Sequence, residues 1–78
     1  MRAKELRCVI TFSTTTAAMA MEAACKKRGL PGRLIPVPRS ITAGCGLCWA
    51  APLESRPAQE ELVMAQAIEI SGIYTVLI

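Results

Sequence analysis

The sequence predicts an α+β domain whose four strands and two helices run in the order β-α-β-β-α-β. Three observations carry this. Apolar and polar residues alternate from Glu5 to Phe12, with Val9 the one apolar residue in the polar phase, the period of a half-buried strand. Two longer runs, one alanine-rich and closed by Gly29 and Pro31, the other closed by Ser71-Gly72, have the composition and stop signals of helices. Between them lie two short apolar runs separated by a connection rich in Pro, Gly, Ser and Thr.

The first strand, Glu5 to Phe12, puts Leu6, Cys8, Ile10 and Phe12 on one face and Arg7, Val9 and Thr11 on the other. Ser13 or Thr14 then caps a helix that runs to about Arg28, each hydroxyl being able to accept a bond from an orphan backbone N–H. Ala17, Met21, Ala24 and Cys25 follow helical spacing, and Lys26-Lys27-Arg28 suit the negative end of the dipole. Gly32 to Val37 carries Leu34, Ile35 and Val37 as a short strand, and Pro36, with no N–H to donate, assigns it to a sheet edge. A connection runs from Pro38 to Gly46. Leu47 to Ala51 is apolar throughout, as a strand buried on both faces would be, and Pro52 stops it. Ser55 is expected to cap a second helix from about Pro57 to Ile70, with Glu60 and Glu61 early in it. Ile73 to Ile78 forms the last strand.

This order is the ferredoxin-like split βαβ plan, a four-stranded antiparallel sheet with both helices on one face, and it takes residues 1–78 as a single domain. A helix crossover makes the first two strands parallel in direction. The Pro38–Gly46 connection, the helix start at Ser13–Thr16 and the turn at Ser71-Gly72 are therefore expected at one end of the sheet. The face without helices should carry Val9 and either Cys48 and Ala50 or Leu47 and Trp49. Such a face is an apolar patch and points to a two-fold homodimer.

Composition narrows the chemistry. Of 78 residues, 53% are hydrophobic and 19% charged, where about 25% charged is usual, and this excludes a disordered chain. The net charge of +3 is spread along the sequence, and with one Phe, one Tyr and one Trp there is no stacking platform for bases, so nucleic acid is not an expected partner. No stretch is long or apolar enough to span a membrane. Met1-Arg2-Ala3-Lys4 and Ala18-Met19-Ala20 have some features of a secretory signal, but Ser13 to Thr16 interrupt its apolar part and cleavage would remove the first strand. A cytoplasmic setting, with the cysteines as thiols, is the expectation. Histidine is absent, which removes the usual general base and the commonest metal ligand.

Cysteine is left to carry chemistry, at positions 8, 25, 45 and 48. Gly44-Cys45-Gly46-Leu47-Cys48 is the most informative segment. Glycines on both sides of Cys45 free the backbone and leave the thiol unshielded, while the nearby helix start and Arg39 would favour a thiolate. Cys8 and Cys25 occupy apolar phases of a strand and a helix and read as core. Cys48 reads either as a core residue of the third strand or as the resolving member of a Cys-x-x-Cys pair. One such pair and two distant cysteines do not match a zinc or iron–sulfur pattern, so neither a metal nor another cofactor is expected. A redox dithiol would sit at a helix N-terminus, whereas this pair leads into a strand.

Val9-Ile10-Thr11-Phe12-Ser13, then a helix, then Arg33-Leu34-Ile35-Pro36-Val37-Pro38-Arg39 and Gly44-Cys45-Gly46, resemble the small domains described as putative selenium/sulfur carrier protein-like. The similarity runs from about Glu5 to Ile78, and Pro-x-Pro-Arg followed by Cys-Gly is its most specific part. The resemblance implies a sulfur or selenium carrier whose cysteine holds the cargo as a persulfide or its selenium equivalent. By position that cysteine is Cys45, and the implied partners are donor and acceptor proteins. A carrier needs an exposed thiolate and a docking surface, and not the deep pocket of a turnover enzyme. Two other readings are weighed against it: a thiol–disulfide redox module using Cys45 and Cys48, and a non-catalytic dimeric interaction domain supported by the open face and Trp49.

Overall fold

The computed structural model describes residues 4–38, 41 and 46–78. The observed elements are β1 (Leu6–Thr11), α1 (Thr15–Arg28), β2 (Arg33–Pro36), β3 (Leu47–Pro52), a 3-10 turn (Leu53–Ser55), α2 (Arg56–Ala65) and β4 (Gly72–Leu77). They form one antiparallel sheet in the order β2-β3-β1-β4, the α+β ferredoxin-like arrangement.

Local chemistry sets the limits of α1. The Thr14 hydroxyl accepts the Ala17 N–H at 3.1 Å, and Gly29 closes the helix at φ 72°. The N–H of Leu30 then reaches the Cys25 carbonyl at 2.8 Å and that of Gly29 reaches Lys26 at 3.3 Å, the paired bonds of a Schellman stop. Ala17, Met21 and Cys25, four residues apart, bury one stripe against the sheet.

The second helix departs from the sequence expectation at both ends. Pro52 leads into the 3-10 turn, and the Ser55 hydroxyl donates to the Pro52 carbonyl at 2.8 Å instead of capping α2. With α2 beginning at Arg56, Glu60 falls beyond the first turn and pairs with Arg56 at 3.0 Å. The helix ends at Ala65 and not near Ile70. Ala67 takes φ 51°, and the N–H groups of Ile68 and Ala67 return to Val63 and Met64, another Schellman stop but built on an alanine.

The core on the helix side contains Cys8, Ile10, Phe12, Met21, Trp49 and Leu62. Gln59 is fully buried with it and satisfied: its amide donates to the Pro31 carbonyl at 2.9 Å and to the Ser55 hydroxyl at 3.3 Å, and its oxygen accepts the Cys25 thiol at 3.2 Å. On the far face Val9 and Cys48 pack together under Ile41, with Ile35, Val37, Val76 and Ile78 around them. Of the two phases open to β3, Cys48 and Ala50 therefore face away from the helices. Trp49 belongs to the helix-side core at 3% exposure, so it cannot form the contact surface of the interaction-domain reading. The centre of the far face is apolar but not bare, because Ile41 packs on Val9 and Cys48, and Arg7 and Arg33 place charge at its other end, where the sequence predicts an apolar patch.

Candidate functional site

Strand register fixes what meets at the functional end. Thr11, the last residue of β1, lies opposite both Cys48 and Gly72, and Pro36, the last of β2, lies opposite Leu47. The start of α1, the two ends of the 38–46 connection and the turn before β4 thus share one end of the sheet. Side chains and backbone lock this end together: the Ser13 and Ser71 hydroxyls are 3.1 Å apart, and the Ser71 N–H donates to the Thr11 carbonyl at 2.7 Å.

The connection is tied down at three points. Val37 donates its N–H to the Gly46 carbonyl at 3.1 Å, Ile41 donates to the Pro38 carbonyl at 3.0 Å, and the Ile41 side chain is buried on Val9 and Cys48. Gly46 has φ 80°, a left-handed conformation that glycine adopts without strain, and it is exposed. Cys45, Gly44 and Arg39, three of the residues the sequence singles out, lie outside the described residues.

The other thiols are enclosed. Cys8, Cys25 and Cys48 each have 0% exposure. Burial pushes the Cys25 thiol from 9.0 up to about 11. Burial also raises Cys8, with the Arg56 guanidinium opposing and the Glu60 carboxylate adding to the rise. Cys48 points its sulfur towards the Pro36 carbonyl, 4.0 Å away. Among the described residues no group of three or more Cys, Asp or Glu side chains is arranged to hold a metal ion. No helix among them is long and apolar enough to cross a membrane.

Sequence reasoning missed two contributors to this end and its support. Ile41 is one apolar residue in a polar connection and carries no periodic signal, and Gln59 looks like an ordinary solvated helix residue. Only the folded contacts give them their roles.

A ferredoxin-like sheet whose 38–46 connection, with Cys45 in its sequence, is anchored to one end of the sheet defines a small α+β domain. The family described as putative Se/S carrier protein-like matches residues 7–75 of the 78, and the chain belongs to that family. Transfer partners, in general terms, come with membership. Searches of the curated proteins and of the solved structures gave no match.

Proposed function

We propose that this protein carries sulfur or selenium on Cys45 and passes it from a donor protein to an acceptor protein. The observation that supports this most directly is the burial of the other three cysteines in a member of a carrier family. A thiol with no exposed surface cannot meet a macromolecular donor. That leaves the cysteine flanked by Gly44 and Gly46 to do the chemistry.

The step is thiol exchange with no net oxidation. The Cys45 thiolate attacks the outer sulfur of a donor persulfide, the donor's S–S bond breaks, and the donor leaves as a thiolate. Cys45 then holds the persulfide until an acceptor thiolate repeats the attack on it. For selenium, the transferred atom bonds to the Cys45 sulfur in the same way. Neither transfer requires Cys48, a metal or an organic cofactor. The chemistry needs reduced thiols, and the cytoplasm supplies that condition.

Carriage does not depend on the homodimer expected from the open face, which stands as a separate proposal; Ile41, packed on Val9 and Cys48, would then be part of its contact surface. Loading by a cysteine desulfurase with cysteine, read by intact mass on wild type, Cys45→Ser and Cys48→Ser, tests the proposal. One added sulfur on the wild type and on Cys48→Ser, absent from Cys45→Ser, is the expected result. An internal disulfide in the wild type, with no stable persulfide on either variant, would establish the dithiol redox module in its place.

A further inference from the structure

At the end of the sheet away from the connection, the far face carries a second concave feature that the carrier chemistry does not use. It is a groove of about 440 Å³ lined by Lys4, Arg7, Arg33, Ile35, Ala50 and Ile78, with Pro31, Gly32 and Pro52 along its edges. That volume lies in the range of small-molecule sites.

The register builds it. Arg7 lies opposite Pro52 and Arg33 opposite Ala50, so β1 and β2 each place an arginine beside β3. Arg7 shares the face of Val9, and Arg33 that of Ile35, so both stand on the far face. Neighbouring strands are about 4.8 Å apart, which puts the two backbones roughly 10 Å from each other across β3. Between them β3 offers the Ala50 methyl and the Pro52 ring, and these short side chains leave the space that both arginines line.

The charges there are not balanced. Glu5 is the one carboxylate within 4.0 Å of any of the three cations among the described residues, 3.5 Å from Arg7, and it is largely exposed. Arg7 is itself only 27% exposed along its side chain, so its charge is partly withdrawn from water. Among the described residues, the three cations Lys4, Arg7 and Arg33 thus outnumber the side-chain carboxylates that contact them. A phosphate monoester carries about −1.5 to −2 at neutral pH, and guanidinium groups bind phosphate oxygens in bidentate fashion. Ile35, Ala50 and Ile78 give the groove an apolar part beside this charged one.

We propose that the groove binds a small organic phosphate, its phosphate held between Arg7 and Arg33 with Lys4 at the rim, and its organic part against Ile35, Ala50 and Ile78. The site is independent of sulfur carriage. The connection leaves β2 after Pro36 and rejoins the sheet at Leu47, whereas the groove lies around Arg33, Ala50 and Pro52.

Phenyl phosphate is the probe, titrated against the whole chain and followed by backbone amide NMR shifts, with inorganic phosphate and a hexaglutamate peptide as separate arms. Saturable shifts confined to the amides of residues 4, 7, 32–35, 50, 51 and 78, with inorganic phosphate binding more weakly, are expected. Arg7→Gln and Arg33→Gln should each weaken binding about tenfold, the scale of one charge-assisted contact, and Arg33→Lys should lose part of it by giving up the bidentate fork. Unperturbed amide spectra of the unliganded variants verify that they fold. Unchanged affinity in both Gln variants would overturn the proposal, as would inorganic phosphate binding as tightly as phenyl phosphate. Saturation of the same amides by hexaglutamate but not by phenyl phosphate would make the groove a dock for an acidic protein segment instead.

Discussion

Brief alkylation of the native protein should label Cys45 alone. The magnitude follows from burial and stability. Cys8, Cys25 and Cys48 have no exposed surface, so an alkylating reagent reaches them only after the structure opens. For a core site the opening free energy approaches that of global unfolding, about 5 kcal/mol at the low end for small domains. At 1.4 kcal/mol per decade, that slows labelling roughly 4,000-fold relative to an exposed thiol. Cys25, in the last turn of α1, is the one most open to local fraying, and an opening of only about 3 kcal/mol there would still protect it by roughly a hundredfold. Its bond to Gln59 opposes even that route. The assay is a time course with N-ethylmaleimide at neutral pH, quenched and peptide-mapped, alongside the same course in denaturant. Labelling of Cys8 or Cys25 at the pace of Cys45 in the native protein would refute the reasoning, because the core described above would then not exclude the reagent.

Three further outcomes follow from particular contacts. Gly32 has φ 139° and a Cβ there would lie 2.6 Å from the Trp49 ring, so Gly32→Ala should destabilise by about 3 kcal/mol from crowding and backbone strain, read as a lower urea midpoint by the fluorescence of this single tryptophan. Ala67 holds a left-handed conformation that costs an L-residue about 1–2 kcal/mol, partly offset by the entropy a glycine would lose on folding; Ala67→Gly should therefore stabilise by about 0.5–1 kcal/mol, and a lowered urea midpoint would contradict the Schellman stop assigned to α2. The Cys25 thiol is neutral when protonated and its pKa is raised by folding from 9.0 to about 11, so its contribution to stability is complete below pH 9 and is lost as pH rises towards 11; urea midpoints should fall across that window, in the same direction as the raised Cys8 thiol requires, and a flat profile would count against both burials.

The strands were legible because each carries its own period or its own stop. Alternation fixes β1, Pro36 marks β2 as an edge, and Pro52 ends β3. Thr14 and Gly29 announce the limits of α1 for the same reason: a hydroxyl cap and a left-handed glycine are local requirements written in residue type. The end of α2 is not written that way. Ala67 adopts the conformation a glycine would signal, so the apolar pattern through Ile68 and Ile70 reads as more helix than there is. Gln59 was invisible for a different reason. Its partners Cys25 and Pro31 are 34 and 28 residues away, and only the packing of α1 on α2 brings them together. The arginine groove is the same kind of case, since Arg7 and Arg33 line one groove only because β1 and β2 both pair with β3. Of the site, the sequence marks Cys45 by its flanking glycines, and Gly46 does take the unusual backbone angle that a glycine permits, but nothing in the sequence hints that Ile41 pins the connection to the sheet.

Two positive-φ glycines show how the two ends of the fold differ. At Gly32 the space is filled: the Trp49 ring occupies the place of a side chain, so the residue is fixed by packing. At Gly46 no described residue beyond its chain neighbours lies within 4 Å of where a Cβ would be, and the positive φ of 80° is what favours glycine there. That angle lets Gly46 turn into β3 while its carbonyl still receives the Val37 N–H. The connection is therefore held by backbone bonds at its ends and by one buried side chain, Ile41, and the described residues build no wall around Gly46. A catalytic pocket encloses its reactants and excludes water. A carrier has the opposite requirement, since its reacting atom must enter the site of another protein. Gly46, exposed and held through its carbonyl by the Val37 N–H, is the described residue next in sequence to Cys45, and the carrier reading proposed above asks for such an open approach.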